Sequence, residues 1–133
     1  MNQLARVYEA LVRGGGPLVA PSTVAAIAAR HRAGMLDETF GIVLDWGLGF
    51  AVDTSQMGRH CSRRAFGHGG HLSSVAFCDP AFGVVVAVVC NGMPERQRHY
   101  ERLAAISSAA YVDLGIAEPD DPGRVKPYPT TGL

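Results

Sequence analysis

The chain has 133 residues, one domain's worth, and its twelve basic residues balance twelve acidic ones, so it lacks the basic field that nucleic acid or an anionic membrane surface requires. With 47% apolar residues it can bury a core, yet no run approaches the ~20 apolar residues of a membrane span. Met1-Asn2-Gln3-Leu4-Ala5-Arg6 has no signal-peptide apolar region behind it, and the expectation is a cytoplasmic chain.

Leu4, Val7, Tyr8, Leu11 and Val12 recur at the spacing of one helix face, and Gly14-Gly15-Gly16 stops the pattern, which predicts a helix over 3–13. That pattern is already running at the first residues, as in an interior element of something longer. After Pro17 to Pro21, Ser22 is an N-cap candidate for a short alanine-rich helix over 23–32, with Gly34 beyond it. Leu44 to Val52 read as a strand with two internal glycines. Asp53 to Arg64 is a polar loop whose Arg59, Arg63 and Arg64 are read as a solvated edge.

A β-hairpin follows, with strands over 66–78 and 83–91 and a turn at Asp79-Pro80-Ala81-Phe82-Gly83. Its first strand opens with the glycine-rich run Phe66-Gly67-His68-Gly69-Gly70-His71, where a ligand or another backbone can come close. Its second, Val84 to Val89, is apolar at every position and is expected to be buried on both faces. Pro94 suits the start of a helix over 95–114, which carries Leu103, Ile106, Ala110 and Leu114 as a stripe and ends at Gly115. The fold class is therefore α+β, an antiparallel sheet packed against helices over 1–115. Residues 116–133 hold four of the eight prolines and no periodicity, and are expected to be an extended tail. That tail carries the single lysine, Lys126, against eleven arginines in the whole chain.

Three cysteines, Cys61, Cys78 and Cys90, form neither a disulfide framework nor a C-x-x-C metal knuckle, and Cys78 and Cys90 fit as small buried hydrophobes. His68 and His71 with His60 and Cys61 upstream invite a zinc reading, but strand positions three apart face opposite ways and no carboxylate is near in sequence. Ordinary partly exposed histidines, or a substrate-side role, account for them more economically. The glycines lack the following helix that a phosphate-cradling loop needs. Neither a metal nor a cofactor is expected. No serine is followed three residues on by lysine, no Tyr-x-Asn occurs, and there is no Gly-x-Ser-x-Gly elbow. A triad of Ser73 or Ser74 with His68 and Asp79 can be drawn, although spacing alone does not single it out.

The order Leu48-Gly49-Phe50, Phe66-Gly67-His68-Gly69-Gly70, Ser73 to Asp79-Pro80, and Gly83 to Gly92 resembles the C-terminal part of the serine β-lactamase-related hydrolases: class C-like β-lactamases, penicillin-binding proteins and esterases of that fold. The resemblance covers about Asn2 to Gly115 and implies a partial β-lactamase/transpeptidase-like fold. It implies that His68-Gly69-Gly70 stands at the family's third active-site motif, Lys-Thr-Gly in β-lactamases. His68 would then be a hydrogen-bond or electrostatic partner in the acyl pocket, Gly69 and Gly70 would let substrate approach, and the His71 backbone N–H would be an oxyanion-hole donor. Histidine in place of lysine at 68 favours a small ester or amide over a β-lactam. The family's Ser-x-x-Lys and Tyr-x-Asn lie N-terminal to the matching region. The resemblance thus implies a segment that is inactive alone. Its edge strand 83–91 would pair with a complementary N-terminal fragment or a second copy. The alternative is a non-catalytic binding or structural module that receives a partner along that edge strand.

Overall fold

A computed structural model describes residues 1–71 and 73–128. Leu72, inside the strand expected over 66–78, and the tail beyond 128 lie outside the described residues. Among the described residues three helices, α1 (Asn2–Val12), α2 (Pro21–Ala28) and α3 (Arg96–Asp113), accompany seven strands: β1 (Leu36–Asp37), β2 (Ile42–Val43), β3 (Asp45–Trp46), β4 (Ala51–Val52), β5 (Phe66–Gly70), β6 (Ser74–Asp79) and β7 (Val84–Val89). Strands β1 and β2 form a small antiparallel pair, and the others form an antiparallel sheet in the order β3-β4-β5-β6-β7.

The alternation of β6 and β7 sorts their side chains onto two helices. Val75, Phe77, Val84 and Val86 face α3 and pack with its Leu103 and Tyr111, together with Met57 and Cys61. Ala76 and Cys78 face α1 and pack with Tyr8 and Leu11, joined by Val52 and Phe66. The sheet is thus a middle layer with a core on each side. Strand β7 is not buried throughout: Val84 and Val86 are buried on the α3 side, Val85 and Ala87 are half-covered, and Val89 is exposed. It is the last strand of the sheet, so one of its backbone edges has no strand neighbour among the described residues.

Several boundaries differ from the sequence expectation, each for a local reason. Helix α2 begins at Pro21 rather than near Thr23, because proline is well placed at the first helical position. It ends at Ala28, not at 32: Arg32 forms an antiparallel bridge with Trp46, His31 N–H donates to Trp46 O (2.9 Å), and Arg30 Nε donates to Asp45 (2.7 Å). Those three residues serve β3 instead of the helix. The single strand expected over 44–52 is two short strands, β3 and β4, because Gly49 takes φ +77° and turns the chain back on itself. The strand expected over 66–78 is likewise two, β5 and β6, paired with Gly70 opposite Ser74. No helix among the described residues is long and apolar enough to cross a membrane.

Candidate functional site

A cleft of about 480 Å³ opens beside the glycine-rich end of β5 and is lined by His68, Gly69, Gly70 and His71. The four residues singled out in the sequence therefore sit together on one concave surface. Val43 and Trp46 of β2 and β3 line it, as do Ser55 and Gln56 of a single 3-10 turn (Ser55–Met57) and His99 and Tyr100 of α3.

The glycines are there because their side-chain space is taken. A Cβ on Gly67 would overlap Ala76 O and the Phe77 side chain of the paired strand. One on Gly69 would overlap the Gln56 amide, and one on Gly70 the Ser74 hydroxyl. Gln56 is held in turn by its Nε2, which donates to His99 Nε2 at 3.1 Å, and both side chains are buried.

His68 is exposed to the cleft, with its ring 5.5 Å from that of Trp46, which itself lies 6.2 Å from Phe40. Its Nδ1 donates to Gly69 O (2.6 Å), so the neutral ring carries its proton there and presents Nε2 as an acceptor. Behind it, burial pushes the Tyr8 hydroxyl up to about 12, and the Cys78 charge adds to the rise while a backbone hydrogen bond from His68 opposes it. His71 lies exposed at the rim.

The Ser-His-Asp arrangement drawn from spacing is not assembled. His68 pairs with Ala76, three strand positions and about 10 Å from Asp79. Asp79 is fully buried and accepts from Ser62 N and Ser62 Oγ (both 2.6 Å), Tyr111 Oη (2.9 Å) and Ala81 N (3.1 Å), which makes it the knot of the β6–β7 turn. The zinc constellation is dispersed too. His60 lies 3.5 Å from Asp121, Cys61 is packed in the α3-side core, and among the described residues no group of three or more His, Cys, Asp and Glu is placed to hold a metal.

Sequence reasoning missed Asp53. It takes φ +55°, rare for a residue with a side chain, and its carboxylate receives both arms of Arg124 (2.6 and 2.7 Å) and Lys126 Nζ (2.8 Å). Burial works to raise its pKa, but the hydrogen bonds and charges of Arg124 and Lys126 outweigh it and hold the carboxyl below its ordinary value. Burial dominates at the neighbouring Cys61, pushing its thiol up to about 11 against the pull of the same two cations. One signal was available: a lone lysine and an arginine in an otherwise acidic, proline-rich tail.

A family model described as Beta-lactamase matches residues 1–111. Among solved structures, a penicillin-binding protein homolog from Caulobacter crescentus is 32% identical at a TM-score of 0.60, over 82% of this chain and 30% of that one. EstA from Arthrobacter nitroguajacolicus is 26% identical at a TM-score of 0.57, over 87% and 32%. A β-lactamase from Mycobacterium bovis, 23% identical, shares the fold at a TM-score of 0.66, over 81% of this chain and 41% of that one. The chain therefore spans less than half the length of each of these three structures. No curated protein gave a match.

Proposed function

This chain belongs to the β-lactamase family, and on that premise we propose that it is the C-terminal, sheet-bearing part of a serine hydrolase that cleaves a small ester or amide through an acyl-enzyme. The observation that carries the reading is the cleft along His68-Gly69-Gly70-His71. With no side chains at Gly69 and Gly70 the strand presents bare backbone to the cleft, and a planar carbonyl can lie against it. In this reading His68 Nε2 accepts a hydrogen bond in the acyl pocket, Gly69 and Gly70 give room for the substrate, and the His71 N–H is one donor to the developing oxyanion.

The chain contains no Ser-x-x-Lys and no Tyr-x-Asn, so nucleophile and base would come from a complementary segment. Without them no acyl-enzyme forms. Such a segment has places to dock. Among the described residues strand β7 ends the sheet, Leu4 and Val7 leave apolar surface exposed on α1, and Met1 before it and Leu18 after it are exposed too. A fluorophosphonate probe tests the reading: the chain alone stays unlabelled, and mixing it with a segment that carries Ser-x-x-Lys restores labelling and 4-nitrophenyl ester hydrolysis. Substituting His68→Ala in that mixture lowers kcat/KM by about 10- to 1000-fold, the range for losing one electrostatic partner. Labelling of the isolated chain would overturn its proposed inactivity.

A second reading rests on β7 alone. An open strand edge accepts an extended peptide by strand addition without any chemistry. Binding of a β-strand peptide by the isolated chain, with no gain of hydrolysis on complementation, would favour it.

A further inference from the structure

Residues 123–127 follow the 53–61 loop in an extended path, and the family match ends well before them at residue 111. Arg124 and Lys126 point inward while Val125 between them is 98% exposed, the alternation of an extended chain. Lys126 is only 8% exposed; its Nζ donates to Asp53 (2.8 Å), Gly58 O (2.8 Å) and Thr54 O (3.3 Å), and lies 2.7 Å from Cys61 Sγ. Arg124 adds its two-armed bond to Asp53, a bond to Cys61 O, and a backbone bond from its N–H to Arg59 O (2.9 Å). Gly123 completes the approach at φ +60°, where a Cβ would overlap the Arg59 side chain. Terminal segments are ordered only where something ties them down, and here main-chain and charged side-chain bonds converge on one carboxylate.

We propose that residues 123–127 form a strap, latched by Asp53, that completes the ligand cleft. Arg124, Lys126 and Pro127 stand on the cleft wall together with Gln56 and Tyr100, so the strap narrows the cleft from the side facing α3. The binding surface of this protein then extends past the region shared with its family, and the strap limits the size of group the cleft admits. This requires no nucleophile and no turnover.

Two side chains that occur once in the chain, Lys126 and Trp46, report on it. The full chain is treated with an acetyl N-hydroxysuccinimide ester and mapped by mass spectrometry. Lys126 is expected to acetylate about tenfold or more slowly in the wild type than in Arg124→Ala or Asp53→Asn. Met93→Ser, at an exposed position outside the cleft, keeps the protection. Acrylamide quenching of Trp46 across the cleft is expected to rise in the two latch variants and not in Met93→Ser. Arg124 lies outside both cores, so circular dichroism of Arg124→Ala should be unchanged, which separates strap release from unfolding. Equal acetylation of Lys126 in wild type and Arg124→Ala would overturn the latch. Unchanged Trp46 quenching with Lys126 freed would overturn the cleft wall. Both readouts stand whether or not the chain belongs to a working hydrolase.

Discussion

Strands β5 to β7 and strands β1 to β4 lie in one small molecule but are held by different physics. The first group is made of five- and six-residue strands whose ladders run their full length, with apolar side chains sent to both faces. The second consists of two-residue strands, too short to stand on ladder bonds alone, and it is tied by carboxylates. Asp37 accepts from Trp46 Nε1 (2.8 Å), Arg32 (3.0 Å), Thr39 N (3.0 Å) and Phe40 N (3.2 Å). Asp45 accepts from Arg30 (2.7 Å) and Gly34 N (2.9 Å), and Asp53 from the tail. The cleft opens where the apolar framework meets the carboxylate-tied strands, so one wall is stiff by packing and the other adjustable through charged and polar contacts.

The contrast can be broken by substitution. Phe77→Ala empties a fully buried ring position between β6 and α3 and should cost about 3–5 kcal/mol in urea unfolding, with loss of the whole cooperative transition at modest denaturant. Asp37→Ala removes one acceptor from four donors, several of them within reach of water, and should cost about 1–2 kcal/mol. Its signature is local: Trp46 emission shifts to the red while the α3-side core stays intact. A loss as large as that of Phe77→Ala would erase the distinction between the two regions.

The smallest expected effect is the most diagnostic. Asp53→Asn should cost about 1 kcal/mol at neutral pH, since the carboxylate is largely shielded but its two-armed partner Arg124 is partly solvated. Because the folded Asp53 titrates below its ordinary 3.8, its contribution is fully present above that value and is lost as pH falls through the depressed one. The Tm difference between wild type and Asp53→Asn should therefore be constant from pH 7 to about 5 and close toward zero in strong acid. A difference that grows on acidification would contradict the assigned ion pairs.

The same division accounts for what could be read in advance. Helix α1 and the β6–β7 hairpin follow from apolar spacing and from glycine and proline punctuation, which act through near neighbours. Residues of α3 form a helix as expected, but Ile106 and Leu114 of its stripe are exposed, and Leu103, Ser107 and Tyr111 are among its buried residues. The cleft residues His68 to His71 were legible because glycines clustered beside an apolar strand point to a close approach of ligand or backbone. The strands β1 to β4 were not, since nothing in Leu44 to Val52 says that Gly49 reverses the chain or that Arg32 abandons a helix to bridge Trp46. The Asp53 cluster joins residues 71 and 73 positions apart through paired charges, and charge pairing has no period to detect. Of the tail expected to be extended, residues 124 and 126 are attached to the loop through Asp53.

Gly67, Gly69 and Gly70 would ordinarily make a loose strand, because glycine loses more freedom on folding than any other residue. Here the volume their side chains would fill is occupied by Phe77, the Gln56 amide and the Ser74 hydroxyl, each belonging to the framework around the strand. The cleft's glycine backbone is therefore held in place by its neighbours, the cleft-lining Gln56 amide among them. A ligand settling against it meets a surface whose ordering was completed when the chain folded, which is preorganisation.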